Sequence, residues 1–392
     1  MPCLPALPAP AQASEGILGF SNAAGADLRQ LTPVALPALA NQTVVQVATG
    51  DDHFLALTST GQVYACGNGE QNQLGRKIIQ RHKTHGLTPE RLFLKNVVLV
   101  GAGAFHSFAV TQDGKAYGWG LNTFRQTGVS EAEGGWEDVI ATPTIIDSLS
   151  VKKEGDARVV QISGGVHHTV FLLSNGEVKV VGRCDGSEVG LPTSHRARVA
   201  VAKAKEAVAA QRQEAEVKER AKLEKEFAAD NQEVDDAMAE WRKDGSQGAD
   251  PLEELKKDDP GEHARLARLA TEGGRKAEAA LVAQINVAQS IAMPNECVSE
   301  PTTLAFPDAA KIVQLATGSR HNFALSSTGV VYAWGLSPTN ELGLGDEDEA
   351  ETPTKVVSQA LGGFKVVKVA TGGQHSAFVV VRGEGAKPSV HA

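Results

Sequence analysis

One pattern recurs five times along this chain: a β-branched run, a glycine, two residues, a histidine and a second apolar run. It reads VVQVATGDDHFLAL from Val44, VVLVGAGAFHSFAV from Val97 and VVQISGGVHHTVFL from Val159. It returns as IVQLATGSRHNFAL from Ile312 and VVKVATGGQHSAFV from Val366. The shared histidines are His53, His106, His168, His321 and His375, spaced by 53, 62, 153 and 54 residues. Self-similarity of this kind decides the architecture before local propensity does. After each histidine run comes a glycine turn (Gly61, Gly114, Gly176, Gly329). A second run follows (VYACG, AYGWG, VKVVG or VYAWG), then a loop closing on QLG, QTG, EVG or ELG at Gln73, Gln126, Glu188 and Glu341. Short β runs punctuated by glycine are blade signals, and radial repetition of blades protects sheet edges. The predicted class is therefore all-β, a β-propeller.

The long spacing has its own explanation. Residues 196–292 hold 17 Lys+Arg and 20 Asp+Glu, far more charge than their share of the chain. They are alanine-rich, with strong helix formers and interleaved opposite charges over Val201–Phe227 and Glu262–Met293. Gly245–Pro260 between them has linker composition. The spacing predicts a long α-helical insertion inside a single repeat. The expected organisation is a disordered stretch 1–12, propeller 13–195, charged helical insertion 196–294, propeller 295–385 and a tail 386–392. The insertion is either a solvated arm or a docking arm for protein or nucleic acid.

Composition removes several function classes. With 42% apolar residues among 392, a sizeable core can be buried. No run of eighteen apolar residues is present, so no membrane span is expected. Met1–Gln12 lacks the basic head and apolar stretch of a secretory leader. Cys3, Cys66, Cys184 and Cys297 lack metal-site spacing and read as reduced intracellular thiols. The formal charge of −9 argues against a surface built to coat nucleic acid. There is no GxSxG, HExxH, P-loop or CxxC motif. The repeated histidines read as structural, one per blade, bonding backbone at a tight turn. No cofactor and no metal are expected.

The unit of β run, Gly-x-x-His, apolar run, Gly, VYAWG, loop and QLG resembles the regulator of chromosome condensation repeat. GNGEQNQLGRK from Gly67, GWGLNTFRQTGVSE from Gly118, SGGVHHTVFL from Ser163 and EGILGF from Glu15 carry the likeness further. They are similar to the branch that acts on the small GTPase Ran at chromatin. The resemblance covers about Ala13–His195 and Asn295–Gly385. It implies a seven-bladed propeller, of which about five blades are expected here. The pattern is entered near Ala13, midway through what would be a third unit, so two preceding repeats are expected to be missing. A truncated form, an incomplete gene model and a reduced paralogue would all look like this.

The resemblance further implies guanine-nucleotide exchange by displacement, with no bond-making chemistry. One propeller face presses on the GTPase near its phosphate-binding loop and favours the empty state. That activity would act in the nucleus, at chromatin, in nucleocytoplasmic transport and mitotic control of the cell cycle. Matched residue by residue, Asp52 falls on an acidic exchange position, Arg76 on a basic interface position and His167 on a binding position. Asn122 is a further candidate for that face. Glu15, Gly16 and Ile17 fall on the latter half of a hairpin that wedges against the GTPase. Ala11–Ser14 replace its usually aromatic and basic first half, and Asn22 stands where an acid is common. The loop Arg76–Lys95, with Arg81, Lys83 and Arg91 among six cations and Glu90 as its one acid, is a candidate for docking on histones. A monomer with Ran and nucleosomal histones as partners is expected. A noncatalytic propeller of the same family, acting as scaffold or adaptor, is a second reading of the same residues.

Overall fold

The computed structural model describes residues 35–76, 88–153, 155–243, 261, 264, 271–345 and 347–382. Each Gly-x-x-His unit folds as the first hairpin of an antiparallel sheet. The first sheet holds β1 (Val44–Thr49), β2 (His53–Thr58), β3 (Val63–Gly67) and β4 (Glu90–Arg91). The second holds β5 (Val97–Ala102), β6 (His106–Thr111), β7 (Ala116–Leu121) and β8 (Val139–Ile145). The third holds β9 (Val159–Gly164), β10 (His168–Leu173), β11 (Val178–Arg183) and β12 (Cys297–Leu304). The fourth holds β13 (Ile312–Thr317), β14 (His321–Ser326), β15 (Val331–Leu336) and β16 (Glu349–Lys355). A hairpin of β17 (Phe364–Thr371) and β18 (Ser376–Arg382) follows. In every sheet, sequence neighbours are hydrogen-bonded neighbours. These are blades of the β-propeller type, and their first strands pack in series, β1 on β5, β9, β13 and β17.

The blades are joined by groups that the repeat supplies at fixed places. Gln46 on β1 donates through Nε2 to the Val100 carbonyl (2.8 Å) and accepts from the Val100 N–H (3.0 Å). Gln161 grips Leu315 in the same two-bond manner, and Gln314 grips Val369. The side chain thus extends one blade's ladder into the next, which satisfies buried backbone groups at the seam. Aromatic rings bridge the same seams: Phe108 meets Phe171 edge-on at 5.4 Å and Phe323 meets Phe378 at 5.3 Å. Such pairs add stabilisation beyond their buried area.

The glycine and histidine of the repeat are one device. A Cβ built on Gly50, Gly103, Gly165 or Gly318 would lie 2.1–2.3 Å from Cε1 of His53, His106, His168 or His321 respectively. The imidazole therefore occupies the space any other residue's side chain would need. Its Nε2 then crosses to the next blade: His53 to Ser107 Oγ (2.7 Å), His106 to Thr169 Oγ1 (2.8 Å) and His168 to Asn322 Oδ1 (2.9 Å). Ser107 and Thr169 spend their own protons on the Gln73 and Gln126 carbonyls (2.8 Å each). The imidazole must therefore be the donor, so Nε2 carries the hydrogen in these three rings. Gly103→Ala should lower unfolding stability by about 3 kcal/mol through overpacking against His106 and the Gly165 carbonyl. Gly273→Ala is the control, since nothing lies within 4 Å of its added Cβ. Equal denaturant midpoints for the two variants would contradict this account of the repeat.

His375 departs from the expected burial. His53, His106, His168 and His321 are at most 1% exposed, whereas His375 lies open to solvent. The other rings are enclosed by the blade that follows, and among the described residues no strand follows β18.

The insertion leaves after β11 and returns into β12, which pair directly, Gly182 with Val298 and Arg183 with Cys297. It therefore sits within one blade. Its helices are α1 (Arg196–Lys243) and α2 (Glu272–Ser290). The chain divides into two compact units, residues 1–201 with 295–392, and residues 202–294. The second unit has a small core of Leu223, Phe227, Ala279 and Ala283. Arg212 binds the Ala288 and Ile291 carbonyls at the end of α2, and Thr271 caps its start by accepting from the Gly274 N–H. Ion pairs such as Glu214–Lys218 and Arg220–Glu224 line α1 at helical spacing. Among the described residues, no helix is long and apolar enough to cross a membrane.

Candidate functional site

The seam that locks each histidine also dictates which neighbours face outward. In the Gly-x-x-His turn the histidine points into the blade interface. The residue just before it is Asp52, Phe105, His167, Arg320 or Gln374 in successive units. All five stand at the same end of their blades, at the turn between first and second strands. The loops between third and fourth strands share that end. Each of those loops is organised by its Gln or Glu: Gln73, Gln126, Glu188 and Glu341 accept from the N–H of Gln71, Phe124, Gly186 and Thr339, two residues earlier. The QLG-type ending is thus a loop cap, and it fixes the surface on which a partner would land.

Asp52 is half-buried, with its carbonyl accepting from the Asn68 N–H (2.7 Å). Beside it, burial and then the Asp52 charge hold the Asp51 carboxyl above its ordinary range. Glu70, Glu137 and Asp138 are exposed at this end, with Arg125 3.7 Å from Asp138. His167 is half-buried too. Its ring lies 4.8 Å from that of Phe124, tilted by 39°. Burial, then the Arg183 and Arg320 guanidiniums, pull its pKa below that of free imidazole, against Glu188 and Asp185, which oppose them. His167 is therefore a neutral group near pH 7, one that can donate and accept.

His168, one residue on, is fully enclosed, and burial holds it down to about 4. Burial alone holds His53 at about 4, and His106 lies well below its ordinary value for the same leading reason. These three are interior groups. His321 is lowered in the same direction, chiefly by burial.

Other expected site residues fall elsewhere. Asn122 is fully buried. Its Nδ2 donates to the Gly135 and Glu137 carbonyls and its Oδ1 accepts from Thr127 N–H and Oγ1. Every polar group of the amide is used inside the loop, so Asn122 shapes the face without presenting itself there. Arg76 is mostly enclosed, at 17% exposure, and pairs with Glu90 at 3.0 Å. Arg91 is exposed on β4, opposite Tyr64. Glu15, Gly16, Ile17, Arg81 and Lys83 lie outside the described residues.

The structure adds a group that the sequence reading missed. Glu188 is buried at 1% exposure and is neutralised from the next blade by Arg320, whose Nε and a terminal nitrogen approach at 2.7 and 2.6 Å. Asp185 holds Arg183 by two bonds, 2.5 and 2.7 Å, and Arg320 at 3.7 Å. The signal was present: Glu188 puts a carboxylate at the repeat's Gln position, and Arg320 puts a cation at the next unit's position equivalent to Asp52 and His167. Among the described residues no cluster of His, Cys, Asp or Glu has the makings of a metal site.

Comparison with known proteins bears on what such a face does. A family model described as an RCC1-like domain matches residues 9–232. The regulator of chromosome condensation (RCC1) repeat matches residues 312–340 and 328–379. Protein pim1 of Schizosaccharomyces pombe is 32% identical over 364 residues, 93% of this chain and 49% of the relative. The guanine nucleotide exchange factor SRM1 of Saccharomyces cerevisiae is 28% identical over 364 residues, covering 93% of this chain and 55% of its own. The crystal structure of Prp20p from Saccharomyces cerevisiae, a protein with binding properties toward Gsp1p and histones, superposes with a TM-score of 0.59 at 27% identity. It matches 90% of this chain and 59% of that one. This chain thus spans about half the length of the curated relatives it matches.

Proposed function

The chain belongs to the regulator of chromosome condensation family, and from that premise we propose that it is a guanine-nucleotide exchange factor for the small GTPase Ran, acting in the nucleus at chromatin. In this reading, five blades of a propeller present the Asp52–His167 end to the GTPase. Asp52 and the exposed carboxylates of Glu70 and Glu137 draw in a basic surface around the nucleotide's phosphates. A carboxylate placed there competes for the cations that hold phosphate and Mg²⁺, and so favours the nucleotide-free state. His167, neutral and amphoteric, adds a polar contact beside it. No bond is made or broken and no cofactor is required. Arg91 and the basic loop 76–95 are the proposed contact for histones. Residues 196–294 are proposed as a separate helical arm.

The observation that carries this reading is the repeat position. Asp52 and His167 occupy the same outward place in different blades, backed in each case by an enclosed histidine that fixes the turn. The test is release of fluorescently labelled GDP from Ran with catalytic amounts of the full chain. Release accelerated about tenfold or more over the spontaneous rate is expected, equivalent to ~1.4 kcal/mol off the barrier. Stable binding to Ran with unchanged release would support a scaffold or adaptor in its place.

A further inference from the structure

Two departures from the repeat coincide in space. Position two before the loop-capping Gln or Glu is Gln71, Phe124, Gly186 or Thr339. The position before the structural histidine of the next blade is Phe105, His167, Arg320 or Gln374. The second and third of these pairs touch. Phe124 lies against His167 at 4.8 Å. A Cβ on Gly186 would fall 2.4 Å from the Arg320 guanidinium, so glycine is what admits that arginine. One blade's loop thus shapes the space for the next blade's docking residue. The only aromatic among these four loop positions stands where the docking residue is an imidazole.

Phe124 is itself clamped. The Arg183 guanidinium carbon lies 5.0 Å from its ring centroid, a cation over an aromatic face. Arg183 cannot swing away freely, because Asp185 holds it by two hydrogen bonds. Its own N–H donates to the His167 carbonyl at 2.9 Å. The Phe124 loop is tied by the Gln126 cap and by Asn295, whose Nδ2 donates to the Thr123 carbonyl at 2.7 Å. The His167 side chain has no such anchor: its Nδ1 is enclosed and without a hydrogen-bond partner.

We propose that Phe124 is a positioning residue, packed against His167 and itself held by Arg183, so that the His167 ring is kept in one orientation at the docking face. The role in exchange rests on the function proposed above, but the positioning does not. The other groups facing His167 are Arg320, Asp185 and Glu188, with the enclosed His106 and His168 behind it.

Proton NMR of the imidazoles in the full chain tests the idea. In the wild type, the Cε1 proton of His167 should be displaced by the Phe124 ring current and should titrate below free imidazole. Phe124→Leu should abolish that displacement and raise the titration midpoint by about half a pH unit or more, as water reaches the ring. Phe124→Tyr should restore both, and His168 should not move in either variant. In GDP release from Ran, Phe124→Leu should slow the reaction as His167→Ala does, and the double variant should be no slower than either. Absence of a ring-current displacement in the wild type overturns the proposal without any variant having to fold. An unmoved His167 in a folded Phe124→Leu also overturns it. If the displacement and its loss are found but wild-type chain releases no GDP, the positioning stands and the exchange function falls.

Discussion

Asp52→Ala and His167→Ala should each slow GDP release from Ran about tenfold or more while leaving the unfolding midpoint within about 2 °C of wild type. His168→Ala should do the reverse in stability. The two substitutions His167→Ala and His168→Ala are adjacent in sequence and opposite in environment. His168 is enclosed, fills the space above Gly165 and donates to Asn322 Oδ1 in the next blade. Its removal leaves a cavity and an unpaired buried acceptor, at a cost of about 3 kcal/mol. That loss should lower the thermal midpoint by several degrees. Asp52 and His167 line no core cluster, and His167 has only its ring contact with Phe124 to lose. Thermal unfolding and labelled-GDP release on the same preparations separate the roles. Unaltered release in both Asp52→Ala and His167→Ala would reject these residues as the docking site. Release lost only in step with the midpoint would make them turn residues.

Much of the fold is legible because the repeat encodes contacts between units. Gly-x-x-His and the Gln of β1, β9 and β13 recur because they join one blade to the next, and the loop-ending Gln or Glu recurs because it caps its own loop. The insertion is legible for the opposite reason: its charge and alanine content obey no blade constraint. Side-chain exposure is where sequence reading stops. Asn122 looks like a surface loop residue, yet its amide is consumed by Gly135, Glu137 and Thr127. Those partners are defined by how the loop folds back and have no signature in spacing. Arg76 stands next to a basic loop in sequence but turns inward to Glu90. The Phe124–His167 and Gly186–Arg320 contacts join residues more than forty apart, in successive blades. They become visible only when two repeat positions are compared in pairs, blade against next blade. His375 carries the same motif as the others, and its exposure depends on what packs beyond it.

The same enclosed histidines should make the protein unusually sensitive to mild acid. In the unfolded chain a histidine takes up its proton near pH 6.5. In the folded chain burial holds His53 and His168 at about 4, and His106 well below its ordinary value. Between these limits the unfolded state binds more protons, so stability rises with pH and falls as pH drops. The contribution is intact above about pH 6.5 and is lost progressively down to about pH 4. For His53 and His168 the loss is about 3 kcal/mol each at the acid end, which competes with the whole stability of a typical domain. Carboxylates such as Asp185 and Glu177, whose pKa values are lowered by their hydrogen bonds, titrate out only below their ordinary range and so act at lower pH. The window from pH 6.5 to 4 therefore belongs to the histidines. Urea unfolding at pH 7.5, 6.5, 5.5 and 4.5 should show a midpoint that is flat at first and then falls steeply. With His53, His106 and His168 titrating together, and His321 and His167 adding in the same direction, the slope should reach at least ~4 kcal/mol per pH unit in mid-window. His106→Gln should be less stable at pH 7.5, because the seam to Thr169 is disturbed, yet show a shallower slope, because one proton-binding group is gone. A stability independent of pH across this window would mean that the rings accept protons in place, and the seams would have to open to water without unfolding the blades.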